Sequence, residues 1–138
     1  MKAIDTNVLV RFLVRDDEKQ SELVYKLFKR AQSVKKELFV PLIVVLETIW
    51  VLGSVYEIPR EKIIDSVKSL LGLPVLKFEA RSAILGFVSS AQKTKTDLSD
   101  LLIGHSAKFS GCESVLNFDK RASGFGLFQL LDEESGRP

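Results

Sequence analysis

The segment Pro41-Leu42-Ile43-Val44-Val45-Leu46-Glu47-Thr48-Ile49-Trp50-Val51-Leu52 is apolar around its whole circumference when wound as a helix, with one acid at its centre. A helix that is hydrophobic all round belongs in an interior. This one is too short to span a bilayer, which needs ~20 apolar residues. Glu47 is therefore expected inside the protein, where an ionised carboxylate is costly unless it is paired or bound to a cation.

Around this segment, strand and helix patterns alternate. Residues 2–4, 38–40, 75–78, 114–118 and 128–131 read as strands, and residues 8–14, 18–31, 42–56, 60–71, 79–94 and 101–109 as helices. Pro59 opens the 60–71 helix and Gly72 closes it. On the 18–31 helix, Leu23, Val24, Leu27, Phe28 and Ala31 form an inward stripe opposite Lys19, Glu22, Lys26, Lys29 and Arg30. The alternation predicts an α/β fold, with a mostly parallel sheet covered by helices on both faces. With 138 residues and 46% hydrophobic content, the chain fills one core. We expect a single domain over 1–131 and a fraying polar tail over 132–138.

Composition excludes several classes. Residues 1–4 are too short for a signal peptide, which points to a cytoplasmic protein with no membrane partner. The lone cysteine, Cys112, closes no intramolecular disulfide and offers no paired zinc spacing, so it is expected as a small buried or half-buried residue. Net charge is only +2. If several acids are neutralised in one cleft, however, the remaining surface is cationic and suits a polyanion.

In an open parallel sheet, ligands bind outside the carboxyl ends of the strands. Asp5 and Asp119 each follow a strand there, and Glu47 and Asp100 would reach the same edge from helices. Asp5 and Asp119 are equally good as N-caps, and Asp97 reads as the cap of the 101–109 helix, with Asp100 its capping-box partner. Converging carboxylates without a His/Cys cluster select Mg²⁺ or Mn²⁺. Such an ion acidifies water for attack on a phosphodiester. His105 sits among Leu101, Leu102 and Ile103 as a half-buried structural residue. Arg11 and Arg15, placed on one face of the first helix, are either solvated or phosphate contacts, and so is Lys120 beside Asp119.

Together, Asp5-Thr6-Asn7-Val8-Leu9, Glu47 in its apolar helix, Asp97-Leu98-Ser99-Asp100-Leu101-Leu102-Ile103 and Asn117-Phe118-Asp119-Lys120 resemble the PIN domain, and within it the VapC-type ribonuclease toxins of toxin–antitoxin pairs. The resemblance spans almost the whole chain. It implies a three-layer α/β/α sandwich and Mg²⁺- or Mn²⁺-dependent endoribonuclease activity on an RNA substrate. It also implies a homodimer and a cognate antitoxin protein. Asp5, Glu47, Asp100 and Asp119 match the acidic quartet, with Asp5, Asp100 and Asp119 as metal ligands. Asn7, Asp97 and Asn117 match supporting positions. An apolar surplus including Trp50, Val51 and Val55 agrees with a dimer.

Three alternatives remain in view. A haloacid-dehalogenase-type phosphatase needs a second Asp where Asn7 stands. A PIN-domain RNA-processing nuclease outside toxin systems has the same acids. A catalytically silent PIN-fold module would keep the fold without turnover.

Overall fold

A computed structural model describes residues 1–134. The chain divides into two compact units, Met1–Glu79 and Ala80–Pro138. The first unit runs β1 (Lys2–Ala3), α1 (Thr6–Leu13), α2 (Glu18–Ser33), β2 (Leu38–Val40), α3 (Leu42–Ser54), α4 (Arg60–Leu71) and β3 (Leu76–Phe78). Its three strands pair in parallel in the order β1-β2-β3, with Lys2 opposite Leu38 and Leu38 opposite Leu76. Parallel neighbours need crossover connections, and a helix pair supplies each one.

Local chemistry sets the helix ends. Asp5, in extended conformation, accepts a hydrogen bond from Thr6 N at 2.7 Å and starts α1. Asp17 accepts from Gln20 N at 3.0 Å and starts α2. Pro41 brings no capping side chain to α3, so Glu79, just past β3, does so instead: its Oε1 accepts from Leu42 N at 2.7 Å. The sequence pattern placed Glu79 at the head of the next helix, which in fact begins two residues later, after a left-handed Ala80 (φ 54°). Helix α4 runs between Pro59 and Gly72 as the sequence indicates.

Leu9, Val40 and Leu52 are fully buried at the centre of this unit, where α1 packs on α3. A polar knot ties the periphery. Arg11 donates from Nη1 to Asp16 Oδ1 (3.1 Å) and to Tyr56 Oη (3.0 Å), and from Nε to Gln20 Oε1 (2.6 Å). Tyr56 Oη in turn donates to Asp16 Oδ2 at 2.9 Å.

Two expectations of burial fail in this unit. Helix α3 buries Val44, Val45, Thr48, Ile49 and Leu52, but its opposite face is open: Ile43 is 72% and Trp50 57% exposed, and Glu47, at the intervening helical spacing, is exposed with them. On α2 the inward stripe is Ser21, Val24, Phe28 and Ala31, so Leu23 and Leu27 flank it and face solvent. In both helices the pattern identified an apolar surface without identifying which part meets the protein's own core.

The second unit runs α5 (Arg81–Lys93), α6 (Leu98–Phe109), β4 (Val115–Asn117), α7 (Lys120–Ser123) and β5 (Phe128–Leu130). Strands β4 and β5 pair in parallel, with Val115 opposite Phe128 and Asn117 opposite Leu130. Helices α5 and α6 bury Ile84, Phe87, Leu101 and Leu102. Gly86 permits their close approach, since a Cβ there would lie 2.6 Å from His105 Nδ1. His105 Nε2 lies 2.7 Å from Ser90 Oγ, and its ring is tilted against Phe125 at 6.4 Å. This is the structural role expected of His105. Cys112 is exposed rather than buried, because the chain has already left α6 through Gly111 (φ 89°). Among the described residues no helix is long and apolar enough to cross a membrane. Asp132, Glu133 and Glu134 are exposed, and the remainder of the expected tail lies outside the described residues.

Two outcomes follow from the α5–α6 contact. Gly86→Ala forces the imidazole aside and should cost about 1–3 kcal/mol, the usual penalty for overpacking, read as a lower urea midpoint with unchanged slope. Burial first, and then the charge of Lys108, lower the His105 pKa. The unfolded chain therefore binds the proton more readily. The contribution to stability is complete above the unfolded value of about 6.5 and is lost as pH falls through the lower folded value. Melting curves taken from pH ~7 down to pH ~5 should show this slope, and His105→Gln, which removes the only histidine, should flatten it.

Candidate metal and nucleic-acid site

The candidate acids sit at element junctions or one turn inside helices. In the first unit, Asp5 follows β1 and caps α1, so it is exposed at the carboxyl edge of the parallel sheet. Glu47 projects from the second turn of α3, the helix packed on α1. The hydroxyl of Thr6, next to Asp5, is buried with no hydrogen-bond partner, although Thr6 is only 4% exposed. Asn7 is exposed on α1.

In the second unit, Asp97 caps α6, its Oδ2 accepting from Asp100 N at 3.1 Å. Asp100 is half-buried on the first turn. Burial, then the negative charges of Asp97 and Asp119, raise its pKa above the ordinary aspartate value. Asp97 and Asp119 therefore both act on Asp100. Asp119 follows β4 and caps α7, its Oδ1 accepting from Arg121 N at 2.9 Å. Asn117 Oδ1 accepts from Asp119 N at 2.8 Å and from Ser123 Oγ at 3.2 Å. A backbone N–H can only donate, so this contact fixes the amide orientation and turns Nδ2 away, where it is buried and unpartnered.

Among the described residues none of Asp5, Glu47, Asp100 and Asp119 is ion-paired. Nor are three or more His, Cys, Asp or Glu side chains drawn together as closely as a bound ion requires. The donor set still fits a hard divalent ion. It offers carboxylate oxygens and, beside Asp5, the unpartnered hydroxyl oxygen of Thr6, while the one imidazole is engaged and the one thiol is an exposed cysteine.

The basic candidates divide. Arg11 is committed to Asp16, Gln20 and Tyr56. Arg15 lies beyond the end of α1, so it does not share that helix face, and it is exposed. Lys120 is exposed beside Asp119. The pattern-based reading missed two features. One is the reach of Glu79 to α3, which spans 37 residues and leaves no local signal. The other is Ser123, whose position four residues after Asp119 was the only available hint.

The family model for the PIN domain matches residues 2–126. The chain belongs to the PIN domain family. The fold class is accordingly the three-layer α/β/α arrangement with parallel strands. The chain is also 29% identical, over 127 residues, to a VapC ribonuclease of Aquifex aeolicus (strain VF5), a match covering 92% of this chain and 93% of that one.

The raised proton affinity of Asp100 gives a signed outcome. An acid whose folded pKa lies above its unfolded value destabilises the fold once ionised, at neutral pH, and this cost fades as pH falls towards about 4. Asp100→Asn keeps the shape and removes the charge. In EDTA at pH 7 it should melt higher than wild type, with the gap closing on acidification and a smaller gain on adding Mg²⁺. A lower melting point in EDTA together with a wild-type response to Mg²⁺ would assign Asp100 to capping alone.

Proposed function

We propose that this PIN-domain chain is a divalent-metal-dependent endoribonuclease and the toxin of a toxin–antitoxin pair. Asp5, Glu47, Asp100 and Asp119 are its functional acids, and residues 1–131 work as one domain followed by a tail over 132–138. The observation that carries the reading is the placement of Asp100, half-buried on the first turn of α6, where burial and then the charges of Asp97 and Asp119 raise its pKa. Acids so placed are typical of functional sites. The PIN-family match and the similarity to a VapC ribonuclease support both the chemistry and the toxin role.

In this reading Asp5, Asp100 and Asp119 hold Mg²⁺ or Mn²⁺, and Glu47 orients water from its exposed position on α3. The bound ion would acidify water and offset the charge that develops on the phosphoryl oxygens. Asn117 fixes the backbone at Asp119 through the Asp119 N–H contact, so the carboxylate is presented in one orientation. Asn7 and Asp97 support their neighbouring acids, Asp97 by tying the backbone of Asp100. Arg15 and Lys120 are exposed and suited to the phosphate backbone, which positions a nucleic acid without reading its sequence. Arg11 contributes by holding the α1–α2 connection rather than by reaching the substrate.

The open face of α3, with Ile43, Trp50 and, just beyond its end, Val55 exposed, supports a homodimer or an antitoxin contact. A protein of this kind works in the cytoplasm.

The test is cleavage of a mixed RNA pool by purified protein. Cutting should occur with Mg²⁺ or Mn²⁺, stop in EDTA, and fall by at least about 100-fold in Asp119→Asn, the scale expected when transition-state charge stabilisation is lost. Undiminished cutting in EDTA would contradict the proposal.

A further inference from the structure

Phe118 stands between Asn117 and Asp119 and is 80% exposed, more than any other large hydrophobic side chain among the described residues. A ring so placed gains nothing from the hydrophobic core. Its mounting, however, is firm. Asn117 O accepts from Leu131 N at 2.6 Å, and Asn117 Oδ1 accepts from Asp119 N at 2.8 Å, so the backbone on both sides of Phe118 is pinned. Leu116, within β4 and two residues earlier, is also open at 51%. Lys120 and Arg121 follow directly and are exposed. A rigid aromatic face with cationic neighbours, placed next to a candidate catalytic acid, combines the two features by which proteins hold unpaired nucleic acid: stacking on the base and attraction to the phosphate.

We infer that Phe118 is a base-stacking platform that seats one unpaired nucleobase of a single-stranded RNA beside Asp119, with Lys120 and Arg121 taking the adjoining phosphates. The inference rests on the nuclease reading and gives it a substrate class. A duplex keeps its base faces covered by stacked neighbours, so the platform selects loops and single strands. It has no hydrogen-bonding edge, so it discriminates weakly between bases.

The experiment measures fluorescence anisotropy of a labelled single-stranded RNA of about 12 nucleotides, a length within the range such sites track, and of the same sequence in a duplex. All proteins carry Asp100→Asn and are assayed in Mg²⁺. Phe118→Ala and Phe118→Leu should each weaken single-strand binding by about 10-fold, the loss of one stacked base. Phe118→Trp should retain binding, and duplex binding should stay weak and unchanged throughout. Wild-type affinity in Phe118→Ala would overturn the inference. Wild-type affinity in Phe118→Leu would also overturn it, showing apolar contact without stacking. A changed oligomeric state by light scattering, with RNA affinity intact, would make the ring a protein-interface anchor instead. If Phe118→Ala fails to fold, the Leu and Trp pair decides the question. Continued RNA cleavage by the Asp100→Asn parent would contradict the proposed acid site, whereas an inactive parent with unaltered Phe118→Ala binding would contradict the platform alone.

Discussion

Parallel pairing governs this molecule. Strands β1, β2 and β3 run in one direction, so each connection must cross back over the sheet, and the carboxyl end of each strand leads into the next helical connection. At that edge Asp5 and Glu79 each meet a helix N-terminus, and both serve as caps. The same rule operates after β4, where Asp119 caps α7. A carboxylate at a helix N-terminus is favourable in itself, because it satisfies free N–H groups and opposes the helix dipole. The topology therefore collects acids at junctions at little cost to stability. Asp100 departs from this pattern: it lies inside the first turn of α6, half-buried and within the field of Asp97 and Asp119.

Capping and metal binding are therefore compatible uses of the same residues. Asp5 and Asp119 each engage a backbone N–H through Oδ1 and retain further lone pairs on the carboxylate. The cap orients the group, and the remaining oxygen capacity is free for an ion. Asn117 adds a third element by tying the backbone at Asp119 while keeping its own Nδ2 unsatisfied. Buried donors without partners are uncommon in a finished fold. Of the Thr6 hydroxyl and Asn117 Nδ2, only the hydroxyl, beside Asp5, carries a lone pair that a cation could use; Nδ2 is a donor and suits an acceptor.

Much of this was legible in the sequence, for identifiable reasons. Strand 38–40 and helix 60–71 match their observed limits because Pro41, Pro59 and Gly72 punctuate the chain. The order of the acid-bearing motifs was legible because each follows or opens a periodic segment. Helix α7 has only four residues and shows no periodicity, so only the capping potential of Asp119 hinted at it. The exposure of Glu47 was not legible, since an all-apolar circumference does not reveal which side meets the core, and Ile43 and Trp50 share its open face. The raised proton affinity of Asp100 comes first from burial, then from Asp97 and from Asp119, 19 positions away, and emerges only once the chain is folded. Arg11 looked like a surface cation because its partner Tyr56 lies 45 residues on.

The central claim is that these acids bind a divalent ion, with Asp100, whose proton affinity is raised, among them. Calorimetric titration of Mn²⁺ into wild type and Asp100→Asn at pH about 5, in two buffers of different ionisation enthalpy, measures both the binding and the protons released. The account predicts that wild type binds Mn²⁺ with net proton release and that Asp100→Asn binds more weakly and releases fewer protons. No binding by wild type, or identical affinity and proton release in the two proteins, would contradict it.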